Sequence, residues 1–342
     1  MKEKVLTAMS GGVDSTVAAA LLLRQGYEVV GATMDTGSGG PFAAAEKAAA
    51  FLGIEHHVVD VRRQFEEAVI GGFLREYERG RTPNPCVVCN ERVKFTAFLP
   101  LMRRLGINRF ATGHYARVEA AAGRFLLKRA SYLPKDQSYM LFRLKQEVLS
   151  ATLFPLGEMS KDEVREAARE MRLPAAGQPD SQDICFIPSG DYRAFIAERL
   201  EHAGGEIRDL CGRVVGRHNG LPYYTVGQRK GLNLALGYPA YVVGLDHAKN
   251  RLIIGREEDL YCSGALCEDI NFIALECLQE PMPAAVKIRY NAEPQEAVIS
   301  SADGGRVEIS FREPAKAVTP GQAAVFYQGD VVIGGGTIVR AR

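Results

Sequence analysis

Lys4-Val5-Leu6-Thr7-Ala8-Met9 followed by Ser10-Gly11-Gly12-Val13-Asp14-Ser15 is the stretch on which the fold turns. The first six residues have the pattern of a short buried strand. Ser15–Gln25 is rich in Ala and Leu and stops at Gly26, which predicts a helix with a glycine C-cap. The loop between them is built of small residues. Such a loop lets backbone N–H groups approach a phosphate, and the helix N-terminus adds partial positive charge. It lacks the Gly-Lys-Ser/Thr of a Walker loop and the Gly-x-Gly-x-x-Gly of a dinucleotide fold. Reading outward, Tyr27–Met34 is a second strand, Phe42–Leu52 a helix closed by Gly53, and Glu55–Asp60 a third strand. A β-α-β-α-β run implies an α/β domain with a parallel sheet and right-handed crossovers.

Further along, Gln64–Glu78 reads as a helix and Arg79–Asn90 as a loop with two prolines. Arg109–His114 reads as a strand, and Gly123 sits at a hairpin turn. Ser160-Lys161-Asp162-Glu163 is a capping box opening a helix to Met171. Pro174–Pro179 reads as a loop leading to Asp180–Pro188, and Asp191–His202 has helical texture. After Ala203-Gly204-Gly205 the pattern changes to short β-rich segments spaced by glycines: Tyr241–Leu245, Arg251–Gly255, Ala285–Tyr290, Glu296–Ser300, Arg306–Phe311, Ala323–Tyr327 and Val331–Ile333. Cys262-Ser263-Gly264 interrupts them. Three parts are expected: an α/β domain over 1–203, a small central β-rich domain over 204–263, and a third domain over 264–342.

The chain has 342 residues, 46% of them hydrophobic and 24% charged, which excludes wholesale disorder. No apolar run approaches the ~18–20 residues that span a bilayer. Met1-Lys2-Glu3-Lys4 leads straight into a strand, with no signal-peptide pattern. A soluble, cytoplasmic protein with no membrane partner is expected. With 42 basic and 41 acidic residues the net charge is +1. That excludes a bulk polycation coating nucleic acid and leaves room for local basic patches.

The seven cysteines are odd in number and irregularly spaced, which in a cytosolic chain points to metal, redox or catalytic thiols rather than a disulfide scaffold. Cys86-x-x-Cys89 stands alone, without a second such pair or a histidine at zinc-finger spacing. Cys185 is flanked by Asp180, Ser181, Gln182 and Asp183, which argues against an apolar pocket for its thiol.

Ser10–Ser15 resembles the PP-loop of ATP pyrophosphatases, which cleave ATP between its α and β phosphates and attach AMP to an oxygen. Behind it come, in order, Arg81–Asn90 (RTPNPCVVCN), Gly113-His114-Tyr115, Lys135-Asp136-Gln137-Ser138-Tyr139 and the Cys185 string. Gly216–Gly220, Tyr224–Leu232, Lys287–Tyr290 and Thr319–Gln322 follow. Together these motifs resemble the tRNA-specific 2-thiouridylases over essentially the whole chain. The fold implied is a PP-loop domain (adenine nucleotide alpha hydrolase-like), a small β-rich central domain and a C-terminal β-barrel. The activity implied is ATP-dependent 2-thiolation of the wobble uridine of tRNA, with lysine, glutamate and glutamine isoacceptors as substrates and a persulfide or sulfide donor protein as partner.

By the same resemblance, Ala8, Met9, Ser10, Gly11, Gly12, Val13, Asp14, Ser15, Met34 and Gly113 bind ATP, with Mg²⁺ on its phosphates. Cys185 carries a persulfide, and Cys89 is the second catalytic thiol, forming a redox disulfide with Cys185. Asn84, Pro85, Cys86, His114, Lys135, Asp136, Gln137, Arg289, Tyr290 and Gln322 contact tRNA. Much of the family has Asp where this chain has Cys86. A thiol cannot simply inherit that role, since its unperturbed pKa is about 8.5 against about 3.9 for Asp. Two readings of Cys86 stay open: an auxiliary thiol, or one of three ligands, with Cys89 and Cys185, of a [4Fe-4S] cluster that delivers the sulfur. An adenylating ligase acting on a small molecule is the alternative activity.

Overall fold

The computed structural model describes residues 2–37, 42–178, 184–187 and 190–342. The chain divides into two compact units, each discontinuous in sequence. The first comprises Met1–Val69, Cys86–Phe186 and Gly329–Ile333; the second comprises Ile70–Pro85, Ile187–Gln328 and Gly334–Arg342. None of the described helices is long and apolar enough to cross a membrane.

The first unit is built on β1 (Lys4–Ala8), α1 (Val13–Arg24), β2 (Glu28–Asp35), α2 (Phe42–Leu52) and β3 (His56–Asp60). Helical segments follow: α3 (Arg62–Phe65), a π-helical turn (Glu66–Ile70) and α4 (Gly71–Glu78), whose residues belong to the second unit. Next come α5 (Pro85–Cys89), a second π turn (Asn90–Lys94), α6 (Phe95–Ala97), α7 (Leu99–Leu105) and β4 (Arg109–Ala111). The hairpin β5 (Ala116–Ala121)/β6 (Arg124–Arg129), α8 (Gln146–Ala151), β7 (Thr152–Leu153) and α9 (Lys161–Glu170) complete it. The sheet is parallel, in the order β3-β2-β1-β4-β7. The chain therefore leaves β1 toward β2 on one side and returns to β4 on the other. The carboxyl ends of β1 and β4 flank a topological switch point, where open α/β sheets bind ligands.

Sequence explains the packing. Val5 and Leu6 are fully buried in β1, as a strand covered on both faces requires. The Ala-rich face of α2 (Ala45, Ala48, Ala49) packs with Val5, Ala19, Leu22 and Val29. On the other side Val164 and Ala168 of α9 join Val13 and Val17 of α1. The capping box forms, with Ser160 accepting from the Glu163 amide and the Glu163 carboxylate accepting from the Ser160 amide. Ala122 and Gly123 take φ of 51° and 77° in the two-residue turn between β5 and β6.

In the second unit, β8 (Gly205–Asp209), β9 (Val214–His218), β10 (Tyr241–Asp246) and β11 (Arg251–Gly255) form a sheet in the order β10-β11-β8-β9. It covers a core of Ile207, Leu221, Tyr224, Leu232, Val242, Leu252 and Ile254. Then β12 (Tyr261–Phe272), β13 (Met282–Lys287), β14 (Gln295–Ala302), β15 (Arg306–Lys316), β16 (Ala323–Gln328) and β17 (Val331–Ala341) run in the order β12-β15-β14-β13-β16-β17. Since β12 also pairs with β17, these six strands close into a barrel.

Three expectations are corrected. Arg79–Asn90 is not all loop, because Pro85 opens α5. Proline favours the first helical position, where its missing N–H costs nothing. Cys262-Ser263-Gly264 does not interrupt the strands but lies inside β12, opposite a bulge of β15, where the pairing shifts from Cys262–Ala315 to Gly264–Ser310. The helix expected over 191–202 is shorter, α10 (Tyr192–Ala197), capped by the Asp191 carboxylate. Asp180–Asp183 and Pro188 lie outside the described residues.

Candidate active site

The loop after β1 is held open by side chains that serve it internally. Ser15 Oγ accepts from the Ser10 amide (3.1 Å) and lies 3.2 Å from Ser10 Oγ, while Thr16 Oγ1 donates to Gly12 O (2.8 Å). Gly12 caps α1 without a side-chain hydrogen bond, which leaves the start of the helix uncovered by its own residues. Gly11 has φ +74°, and a Cβ there would lie 2.6 Å from Ala44 Cβ. Gly113, two residues beyond β4, lies against the same loop: its Cβ would fall 2.8 Å from both Asp14 C and Ser15 N. Met34, half-buried, sits near the end of β2 in register with Val59 of β3. The structure thus brings Ala8–Ser15, Met34 and Gly113 to the carboxyl edge of one sheet.

Asp14 lies in the first turn of α1. Its Oδ1 accepts from Tyr115 Oη (2.8 Å) and from Lys161 Nζ (2.7 Å). Tyr115 is held in turn by Gln137, whose Oε1 accepts from the Tyr115 amide (3.0 Å) and whose own amide donates to Tyr115 O (2.8 Å). Asp136 is buried. Its carboxylate accepts from the Ala130 amide (3.0 Å), the Ser138 amide (3.1 Å) and Ser138 Oγ (2.9 Å). The Asp136 carboxylate and the Gln137 side-chain oxygen thus also serve inside the unit, supporting Tyr115 and the turn beside it. Lys135, next to them, is half-buried.

The thiols lie on different elements of the first unit. In α5, Cys86 and Cys89 stand at i and i+3 on one face, while Val87 and Asn90 are buried on another. Asn90 Nδ2 donates to Met140 O (3.1 Å), which ties the second π turn to the unit. Cys185 is exposed, and its neighbour Phe186 is buried edge-on against Phe65 of α3, 5.8 Å between centroids. Each of the three carries a thiol rather than a disulfide. Desolvation pushes each thiol up, Cys89 to about 11; the Lys94 ammonium opposes this at all three sulfurs, and Cys185 acts on both Cys86 and Cys89. With Cys89 held protonated, its alkylation by iodoacetamide is expected to rise about tenfold per pH unit from 8 to 10 and to level only near pH 11. A plateau near pH 8.5 would show that the thiol is not desolvated.

The cluster reading fares poorly. Among the described residues no group of three His, Cys, Asp or Glu side chains is arranged to hold a metal ion. Nothing among the described residues supports a [4Fe-4S] group.

His114 stacks on Phe95 (centroids 6.1 Å, 25°) and meets Phe154 edge-on (6.2 Å). Its Nδ1 lies 2.8 Å from Thr112 Oγ1. Burial, with Lys94 adding to it, holds the imidazole well below its usual range, so it is neutral at pH 7. In the second unit Arg289 Nη2 donates to Val226 O (2.8 Å), Ala317 O (3.1 Å) and Thr319 Oγ1. Gln322 Nε2 donates to Thr82 O (2.8 Å) and Pro83 O (3.3 Å). Both are expected tRNA contacts, and these bonds also hold backbone: Arg289 on the Tyr224–Leu232 loop, Gln322 on the segment leading to Asn84-Pro85. Tyr290 is half-buried, with Lys287 Nζ 5.5 Å from its ring centroid.

Sequence reading missed Lys94, Tyr115 and Lys161 as site residues. For Lys161 a signal was present: a lysine at the first position of a capped helix opposes the helix dipole, so it must serve something else.

Residues 3–189 match the family described as tRNA methyl transferase HUP domain, residues 193–256 the tRNA methyl transferase PRC-barrel domain, and residues 263–338 the aminomethyltransferase beta-barrel domain. Among curated proteins, the tRNA-specific 2-thiouridylase MnmA of Heliobacterium modesticaldum is 50% identical, over 99% of this chain and 93% of that protein. The enzymes of the same name from Carboxydothermus hydrogenoformans (47% identical, 98% of each chain) and Acetivibrio thermocellus (45%, 98% of this chain and 99% of that one) align as completely. With three domains matched in order and identity this high from end to end, the chain belongs to the tRNA-specific 2-thiouridylase family.

Proposed function

We propose that this chain carries out ATP-dependent 2-thiolation of the wobble uridine of tRNA. The placing of loop and thiols within one unit carries the reading. Gly113 lies against Asp14 and Ser15 of the nucleotide loop, and Cys86 and Cys89 share one face of α5. The loop, these two thiols and Cys185 all belong to the first unit.

In the reaction, uridine O2 attacks the α-phosphate of ATP and pyrophosphate leaves. Oxide, a poor leaving group, becomes AMP, a good one. Ala8–Ser15, Met34 and Gly113 hold the nucleotide. The described residues form no dedicated metal cage, so Mg²⁺ would be held by the phosphates and water and would shield their charge. A persulfide on Cys185, charged by a sulfur-donor protein, attacks C2 through its outer sulfur, and AMP departs with the former O2. The Cys89 thiolate then attacks the Cys185 sulfur, breaking its bond to the transferred sulfur. This releases 2-thiouridine and leaves a Cys89–Cys185 disulfide, which a thiol reductant restores. Cys86 is an auxiliary thiol beside the pair. Asn84, Pro85, Cys86, His114, Lys135, Asp136, Gln137, Arg289, Tyr290 and Gln322 are the candidates for contact with the tRNA, whose isoacceptors are those for lysine, glutamate and glutamine, and the setting is the cytoplasm.

The test is to incubate the purified chain with tRNA, ATP, Mg²⁺ and a persulfide donor, and to quantify 2-thiouridine and AMP. Formation of both, each dependent on tRNA, is expected. ATP turnover with a small amide acceptor and no thiolated nucleoside would transfer the reading to a small-molecule ligase.

A further inference from the structure

Lys161 is placed where a lysine costs stability twice. Its side chain is only 10% exposed, and it occupies the first position of α9, at the positive end of that helix. Its ammonium reaches across to α1, 2.7 Å from Asp14 Oδ1. The same oxygen takes the Tyr115 hydroxyl at 2.8 Å, and Lys161 Nζ lies 5.9 Å from the Tyr115 ring centroid. Two donors from distant parts of the chain therefore converge on one oxygen of one carboxylate. That carboxylate is in the first turn of α1, where a bare negative charge would repel a polyphosphate from the helix amides.

We propose that Lys161 is a positioning residue of the nucleotide site: with Tyr115 it fixes Asp14 and cancels its charge, so that a polyphosphate can occupy the amides at the start of α1. This rests on the reading of that loop as the ATP site. It assigns Lys161 no contact with the nucleotide. Its effect runs through Asp14, and that distinguishes it from a lysine that binds phosphate and from one that only joins two helices.

The experiment is calorimetric titration of Mg²⁺-ATP into the natural chain, Lys161→Met, Lys161→Arg and the double variant Asp14→Asn/Lys161→Met, with circular dichroism to verify folding. Lys161→Met should weaken ATP binding on the order of tenfold or more, from an unscreened charge next to the phosphates. Lys161→Arg should keep most of the affinity, and the double variant should regain most of what Lys161→Met loses. An Asp14-dependent rescue is something a purely structural lysine would not give. Unchanged affinity in a folded Lys161→Met would overturn the proposal, and so would a double variant as weak as the single one. If Lys161→Met does not fold, Lys161→Arg and the double variant decide: binding by the latter far below the former overturns it. No ATP binding by the natural chain would instead bring down the nucleotide reading itself.

Discussion

Cys185→Ala should abolish 2-thiouridine formation, by at least on the order of a thousandfold, and leave ATP binding essentially unchanged. The reason is a separation of tasks within one unit. The nucleotide loop is organised by Ser10, Ser15, Asp14, Tyr115 and Gly113, through hydrogen bonds and close packing that do not use the Cys185 thiol. Cys185 is exposed and seated by Phe186 on Phe65, so truncating its thiol removes a reactive group without opening a core cavity. Pyrophosphate release with tRNA should persist for one turnover in this variant, since adenylation precedes sulfur transfer, whereas AMP, which leaves only on sulfur attack, should stay on the uridine. Thiolated nucleoside at the natural rate, measured by mass spectrometry of digested tRNA, would refute the persulfide assignment.

Gly113→Ala should have the opposite signature, losing ATP binding and adenylation together while the thiols stay reactive. The added Cβ would meet Asp14 C and Ser15 N at 2.8 Å and Asp14 O at 3.0 Å. These are backbone atoms at the start of a helix and cannot rotate aside as a side-chain tip would. Relief requires moving the loop or β4, at about 1–3 kcal/mol of stability, as overpacking commonly costs. A loop displaced by a fraction of an ångström no longer aims its amides, and a loss of activity on the order of a hundredfold is expected. Titration with ATP and a thermal melt check it; a variant that binds ATP normally would show that the close approach has no bearing on the nucleotide.

Local rules made much of this fold legible. Gly26, the Ser160–Glu163 capping box and Gly123 mark ends, starts and turns within a few residues of themselves, and each lies where such signals place it. The parallel sheet followed from alternation alone. What escaped was set by distance along the chain or by competing signals. Pro83 and Pro85 read as breakers, yet Pro85 starts the helix that puts Cys86 and Cys89 on one face. Cys262–Gly264, opposite a bulge of β15, looked like the end of a strand. Tyr115 and Lys161 meet Asp14 from far away in sequence, and no periodicity announces such a meeting. Polar residues are the least legible. Asp136, Gln137, Arg289 and Gln322 make hydrogen bonds that hold backbone in place, which their residue types alone do not announce.

The discontinuity of the first unit bears on how the protein is made. Residues 329–333 belong to that unit: the Arg129 amide donates to Asp330 O (2.7 Å), Val331 pairs with Lys128, and Asp330 meets Arg117 (2.8 Å). During synthesis these residues leave the ribosome after nearly all of the barrel. The β5/β6 hairpin must wait for them, so the nucleotide-binding half cannot finish folding as an early, independent product, contrary to the usual order in which N-terminal domains mature first. A polypeptide released before residue 329 would carry the loop and every thiol assigned a role here, yet lack the segment that completes their unit.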